Sequence, residues 1–233
     1  MSKTTAKEID FFVSEKGGKV SGLLLHPGGA KAVLALAHGA GAGMRHKFME
    51  AIAEKLAILG VATLRYQFPY MEKGIKRPDS EEVLTATVRT AVTTAKKQVP
   101  DLPLFAGGKS MGGRITSLTA RKETLENVRG LVFFGFPLHA AGRPSAERGR
   151  DLLELKLPLL FLQGSRDALA DLELLRPLCS RMGKRAELFV IEGGDHSFHM
   201  RKSSGRSDNE VLDEVARKAA SWVSGSSRES EVF

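Results

Sequence analysis

The chain of 233 residues is 42% hydrophobic and carries a formal net charge of +8 at pH 7, enough apolar content for one sizeable core and too much for a disordered polymer. Met1 to Ile9 hold no apolar segment and no run approaches eighteen apolar residues, so a soluble protein without signal peptide or membrane partner is expected. The basic residues fall in short mixed groups such as Lys96-Lys97, Arg121-Lys122 and Arg201-Lys202, without the interleaved aromatics of an RNA-binding sheet, which argues against a nucleic-acid partner.

Short runs rich in Val, Leu and Phe alternate with longer helical patterns, the signature of a mostly parallel sheet with crossover helices. Glu8 to Ser14 and Val20 to Leu25 read as an antiparallel hairpin, because Gly17-Gly18 leaves no room for a crossover helix. Six further strands follow at Ala32 to Ala37, Val61 to Tyr66, Leu102 to Ala106, Val128 to Gly135, Leu159 to Gln163 and Glu187 to Ile191. Helices are predicted over Lys47 to Leu59, Ser80 to Val99, Ser110 to Arg121, Ala168 to Met182 and Asn209 to Val223. The run Leu131-Val132-Phe133-Phe134 lacks alternation, as expected of a strand covered on both faces. Residues 1–224 are read as one domain and the Ser-rich stretch 225–233 as a frayed tail. The lone cysteine, Cys179, has no disulfide partner and lies among Leu174, Leu175 and Leu178, so it reads as core in a reducing, cytoplasmic setting.

The chemistry is concentrated after four of these strands. Leu104-Phe105-Ala106 runs into Gly107-Gly108-Lys109-Ser110-Met111-Gly112 and then a helix, which is G-x-S-x-G in a strand-to-helix context: a strained turn whose flanking glycines keep the backbone clear of itself. A phosphate-binding loop ending in Gly108-Lys109-Ser110 would need glycine at position 103, where Pro103 stands, which argues against nucleotide binding. A serine nucleophile needs a base and a group to orient that base. Asp167 follows the fifth of the six strands after the hairpin, in Gln163-Gly164-Ser165-Arg166-Asp167, and His196 follows the last strand in Glu192-Gly193-Gly194-Asp195-His196. Asp167 has an alternative as a helix cap, with Asp171 then the candidate acid, and His199 stands as alternative base; Asp195 reads as structural. His38-Gly39-Ala40-Gly41, after the third strand, offers main-chain amides for an oxyanion hole made by the N–H groups of Ala40 and Met111. His38 itself reads as a loop brace. His26, His46 and His139 show no metal-ligand spacing, so no metal and no cofactor are expected.

In this order and placement the segments at His38-Gly39-Ala40-Gly41, Gly108-Lys109-Ser110-Met111-Gly112, Gly164-Ser165-Arg166-Asp167 and Gly193-Gly194-Asp195-His196 resemble the α/β-hydrolase superfamily over nearly the whole chain. The short uncapped chain is similar to its dienelactone-hydrolase-like branch, and Phe68-Pro69-Tyr70-Met71 and Phe136-Pro137-Leu138-His139 resemble a bacterial group there. Dienelactone hydrolases use cysteine as nucleophile, and serine at position 110 points instead to a general ester or thioester hydrolase acting on a small-molecule substrate. The alternative is a non-catalytic binding or scaffold protein that keeps the hydrolase fold. Lys109 and Arg65 read first as a solvated lysine and a structural arginine, with a pocket for acyl groups bearing a carboxylate as the alternative. Between Gly135 and Leu159 there is room for one short helix near Glu147 to Leu155, so no large lid is expected, and short acyl groups should be preferred.

Overall fold

A computed structural model describes residues 5–228, with side chains described through 225. Its strands are β1 (Lys7–Ser14), β2 (Gly18–Leu25), β3 (Ala32–Ala37), β4 (Val61–Tyr66), β5 (Leu104–Lys109), β6 (Val128–Phe134), β7 (Leu159–Gly164) and β8 (Ala186–Ile191). They form one sheet in the order β1-β2-β4-β3-β5-β6-β7-β8. β1 pairs antiparallel with β2 and β2 antiparallel with β4, while all remaining pairings are parallel. The helices are α1 (Lys47–Ile58), α2 (Pro69–Glu72), α3 (Glu81–Gln98), α4 (Met111–Lys122), α5 (Glu147–Arg150), α6 (Leu172–Met182) and α7 (Asp208–Arg228).

Strand β3 shows why the central runs are apolar without alternation. Val33, Ala35 and Ala37 point into a layer with Leu84 and Val88 of α3, Ile115 of α4 and Leu175 of α6. Their neighbours Ala32, Leu34 and Leu36 point the other way, onto Met49 and Ile52 of α1 and Val211 and Val215 of α7. Both faces are therefore sealed, and each fully buried Leu or Val contributes roughly 1.5–3 kcal/mol to holding the frame. That frame fixes the carboxyl-terminal strand ends, where the loops of interest begin.

Four elements depart from the sequence reading, each for a local reason. β5 starts later and runs on through Gly107 and Gly108 to Lys109, which pair with Val132, Phe133 and Phe134 of β6. Two glycines disguise this part of the strand, yet the sheet needs them: a Cβ on Gly107 would stand 1.9 Å from the Val132 carbonyl oxygen. α6 begins at Leu172 rather than Ala168, because Asp171 caps it by accepting from the Glu173 N–H at 2.9 Å. The stretch Phe68 to Pro78, where no helix is predicted, includes the single turn α2, opened by Pro69 at its first position. α7 continues past Gly225 to Arg228, and 229–233 lie outside the described residues. Between β6 and β7 the chain forms only α5 and a 3-10 turn, Asp151–Glu154. No helix among the described residues is long and apolar enough to cross a membrane.

Candidate active site

The site begins where β5 stops. Ser110 takes φ 50° and ψ −119°, a conformation costly for a residue with a side chain, and Met111 then opens α4. The turn is held by the Ser110 N–H donating to Phe134 O at 3.1 Å and by Arg114 N–H donating to Ser110 O at 3.1 Å. It is also packed against the end of β3. A Cβ on Gly108 would lie 2.5 Å from Ala37 O, and one on Gly112 would lie 2.6 Å from both Ala37 O and His38 O. The glycines are thus required by the neighbouring strand as well as by the turn itself.

Two loops from strands further along the sheet, beyond β6, complete the site. The loop after β8 carries His196, whose Nε2 lies 2.8 Å from Ser110 Oγ. The loop after β7 carries Asp167, whose Oδ2 lies 2.7 Å from His196 Nδ1. The Asp167 side chain is fully buried, while that of His196 is 23% exposed. An ionised carboxylate only accepts, so His196 Nδ1 carries the proton and the Nε2 lone pair faces the Ser110 hydroxyl. The arrangement can pass the Oγ proton to the imidazole and hold the resulting imidazolium against Asp167.

Asp167 is fixed by further donors, the Leu169 N–H to Oδ1 at 2.8 Å and Gln163 Nε2 to Oδ2. Gln163 is itself fully buried, and its Oε1 accepts from Phe136 N–H at 2.9 Å. Sequence reading passed over this residue. Its signal was a lone amide closing the apolar run Leu159-Leu160-Phe161-Leu162, immediately before the acid's loop. The alternative residues are occupied elsewhere: Asp171 caps α6, and His199 pairs through Nδ1 with Asp208 at 2.6 Å on the surface. Asp195 folds its own loop by accepting from Ser197 N–H at 2.7 Å and His199 N–H at 2.9 Å.

The loop after β3 lies beside the serine, with Gly39 close enough that a Cβ there would sit 3.7 Å from Ser110 Cβ. His38 is buried and braces this loop, its Nδ1 2.7 Å from Gly39 O and its Nε2 accepting from Phe68 N–H at 3.1 Å. Burial pushes its pKa down to about 4, so it stays neutral. Ala40 follows on the exposed side of the loop. Met111, first in α4, has an N–H without an intrahelical acceptor by helix geometry.

Arg65 is structural, as the first reading has it, whereas Lys109 is not solvated, and the alternative of an anion pocket built from the two gains no support from their contacts. Lys109 is buried, with Nζ donating to His196 O at 2.7 Å. Arg65 is buried in β4, donating to Met44 O at 3.2 Å and lying 3.9 Å from Glu50. Strand alternation turns both side chains into the protein rather than towards Ser110. Among the described residues no group of three or more His, Cys, Asp or Glu side chains could hold a metal ion.

Comparison with known proteins agrees with this architecture, since the model of a family described as an alpha/beta hydrolase domain matches residues 30–224. The chain belongs to the α/β-hydrolase domain family. Similar solved structures include a dienelactone hydrolase from Anabaena variabilis (TM-score 0.71, 23% identity, 94% of this chain and 97% of that one). Another is a serine hydrolase without lid from Xanthomonas campestris (TM-score 0.69, 19% identity, 92% and 95%). At these identities the likeness establishes the fold. A Mycobacterium tuberculosis protein that carries the provisional name phosphoribosyl transferase is 28% identical over 207 residues, or 87% of this α/β-hydrolase. The chain spans 43% of the length of that relative, whose name describes a protein more than twice as long.

Proposed function

We propose that this α/β-hydrolase cleaves carboxylic esters or thioesters of small, soluble substrates through an acyl-enzyme on Ser110. The observation that carries the reading is the unbroken chain from Ser110 Oγ to His196 Nε2 and from His196 Nδ1 to a fully buried Asp167. A binding or scaffold protein has no use for a strained serine aligned with a base and an orienting acid.

In the first half-reaction His196 Nε2 takes the Oγ proton as Ser110 attacks the substrate carbonyl. The N–H groups of Ala40 and Met111 receive the developing oxyanion, and the imidazolium returns its proton to the departing alkoxide or thiolate. In the second, water gives its proton to His196 and attacks the acyl carbonyl, and the proton goes back to Ser110 as the acid leaves. Asp167 keeps the imidazole in the required tautomer throughout and stabilises its charged form. Residues 1–224 would act as one catalytic domain in the cytoplasm, a reading supported by the lone, buried Cys179.

The test is reaction with a fluorophosphonate probe followed by mapping of the labelled residue. Label on Ser110 is expected, and Ser110→Ala should remove both label and esterase turnover, the latter on the order of 10⁴-fold or more, while the fold persists. Turnover like wild type in that variant would refute the assignment.

A further inference from the structure

Lys109 is charged, buried and one residue from the serine, and the ester chemistry gives its charge no part. Only 9% of it is exposed, and its Nζ ends beneath the loop that carries His196, donating 2.7 Å to the His196 backbone carbonyl. The rings of Phe48, from α1, and Phe198 stack on each other 6.0 Å apart, and the centre of each lies 5.9 Å from Nζ. The opposite wall is Gly135, just past β6, with φ +69°. A Cβ there would stand 3.0 Å from Lys109 Nζ and 3.1 Å from His196 O, so the missing side chain is what leaves space for the contact.

Burying an ammonium is costly unless something uses it. Here it meets a single loop carbonyl, through a charge-assisted bond of the stronger kind. The loop is tied before His196 at Gly193 and Gly194 and after it through Asp195 to Ser197 and His199, and the Lys109 bond is the one that holds the carbonyl of His196 itself, whose imidazole is partly exposed.

We infer that Lys109 is a positioning residue: its ammonium ties the His196 carbonyl to the end of β5, so the strand that delivers Ser110 also sets the place of the imidazole that must meet it. The inference rests on the proposed roles of Ser110, His196 and Asp167. It also carries a pH signature. The groups facing the ammonium are Asp167, from the loop after β7, and Asp195 and His196, from the loop after β8; α1 presents the Phe48 ring and the end of β6 the bare Gly135. Burial outweighs the two carboxylates and draws the Lys109 pKa down to about 8. As pH rises through that value the donor loses its charge and its grip, so kcat falls on the alkaline side.

The experiment compares wild type with Lys109→Met, which keeps an apolar stem of similar length, and Lys109→Arg, which keeps a permanent charge. Lys109→Met is expected to lower kcat on p-nitrophenyl acetate about 10²-fold, the scale of a misplaced catalytic group, and to slow fluorophosphonate labelling equally, with KM unchanged. Lys109→Arg should recover part of that rate and lose the alkaline fall, because a guanidinium does not titrate there. A folded Lys109→Met with kcat like wild type overturns the inference. So does a wild-type kcat that stays level from about pH 7 to pH 10, or a Lys109→Arg that keeps the wild-type fall, and these two arms decide the matter if Lys109→Met does not fold. An active wild type with an unimpaired variant sinks the inference alone, whereas a wild type inert to ester and probe sinks the functional reading with it.

Discussion

His38 and Asp167 are both buried polar residues at strand ends, and their surroundings suit opposite charge states. Asp167 is surrounded by donors: Gln163 Nε2, the Leu169 N–H and His196 Nδ1 all meet its carboxylate. His38 instead must accept from the Phe68 N–H, which only the neutral ring can do. Its pKa, lowered by burial from 6.5 to about 4, makes folding pH-dependent. The folded state resists protonation where the unfolded chain accepts it, so His38 contributes stability above about pH 6.5 that is lost as pH falls towards 4. The shift corresponds to roughly 3 kcal/mol at 1.36 kcal/mol per unit. Urea midpoints measured across this window should therefore fall less steeply in His38→Gln than in wild type. An identical slope in the two proteins would assign the loss to other groups.

At the scale of elements, the site depends on how tightly β3, β5 and α4 approach one another. Gly112 lies in the first turn of α4, where replacing glycine by alanine in an exposed helix would stabilise by roughly 1 kcal/mol. Here the added methyl would meet Ala37 O and His38 O at 2.6 Å, and both are backbone atoms that cannot swing aside. Overpacking of that kind costs about 1–3 kcal/mol and should outweigh the propensity gain. Gly112→Ala is thus expected to lower the urea midpoint, and to slow probe labelling because α4 carries the Ser110 turn outward with it. A midpoint raised above wild type would mean that the contact relaxes at no cost.

At the scale of the molecule, the parallel order β3-β5-β6-β7-β8 brings the loops after β3, β5, β7 and β8 to one edge of the sheet. Between β6 and β7, where a lid could be inserted, the helical structure is small: one turn of α-helix, Glu147–Arg150, and one 3-10 turn, Asp151–Glu154. A long acyl chain would leave most of its methylenes in water, forfeiting up to about 0.8 kcal/mol for each. Across p-nitrophenyl esters of increasing acyl length, kcat/KM should peak at short chains, with no jump when the substrate forms micelles. A steady climb to long chains would show that the present loops provide a lipase-like surface.

Much of this arrangement was legible along the chain because it is written in local chemistry. Alternating apolar runs and helical patterns reflect which residues can be sealed from water, and Gly108-Lys109-Ser110-Met111-Gly112, Asp167 and His196 each follow such a run. Short-range signals also had short-range limits. They could not show that Gly107 and Gly108 belong to β5, since the reason lies in Val132 O and Ala37 O on neighbouring strands. They placed the start of α6 at Ala168, although a cap three residues on was the residue held in reserve as an acid. The contacts of 2.7 and 2.8 Å joining Asp167, His196 and Ser110 come from the ends of three strands distant in sequence, and only their placement in one sheet, with β6 between β5 and β7, brings them together. The same holds for Lys109 and Gln163, polar letters whose meaning depends on what stands across from them. Sequence by itself determined the sheet, its covered faces and the residues capable of the chemistry, because burial and turn preference act locally. Which of those residues touch, and which buried charge steadies them, was decided by the tertiary structure, because hydrogen bonds across the sheet edge depend on distances that no single segment contains.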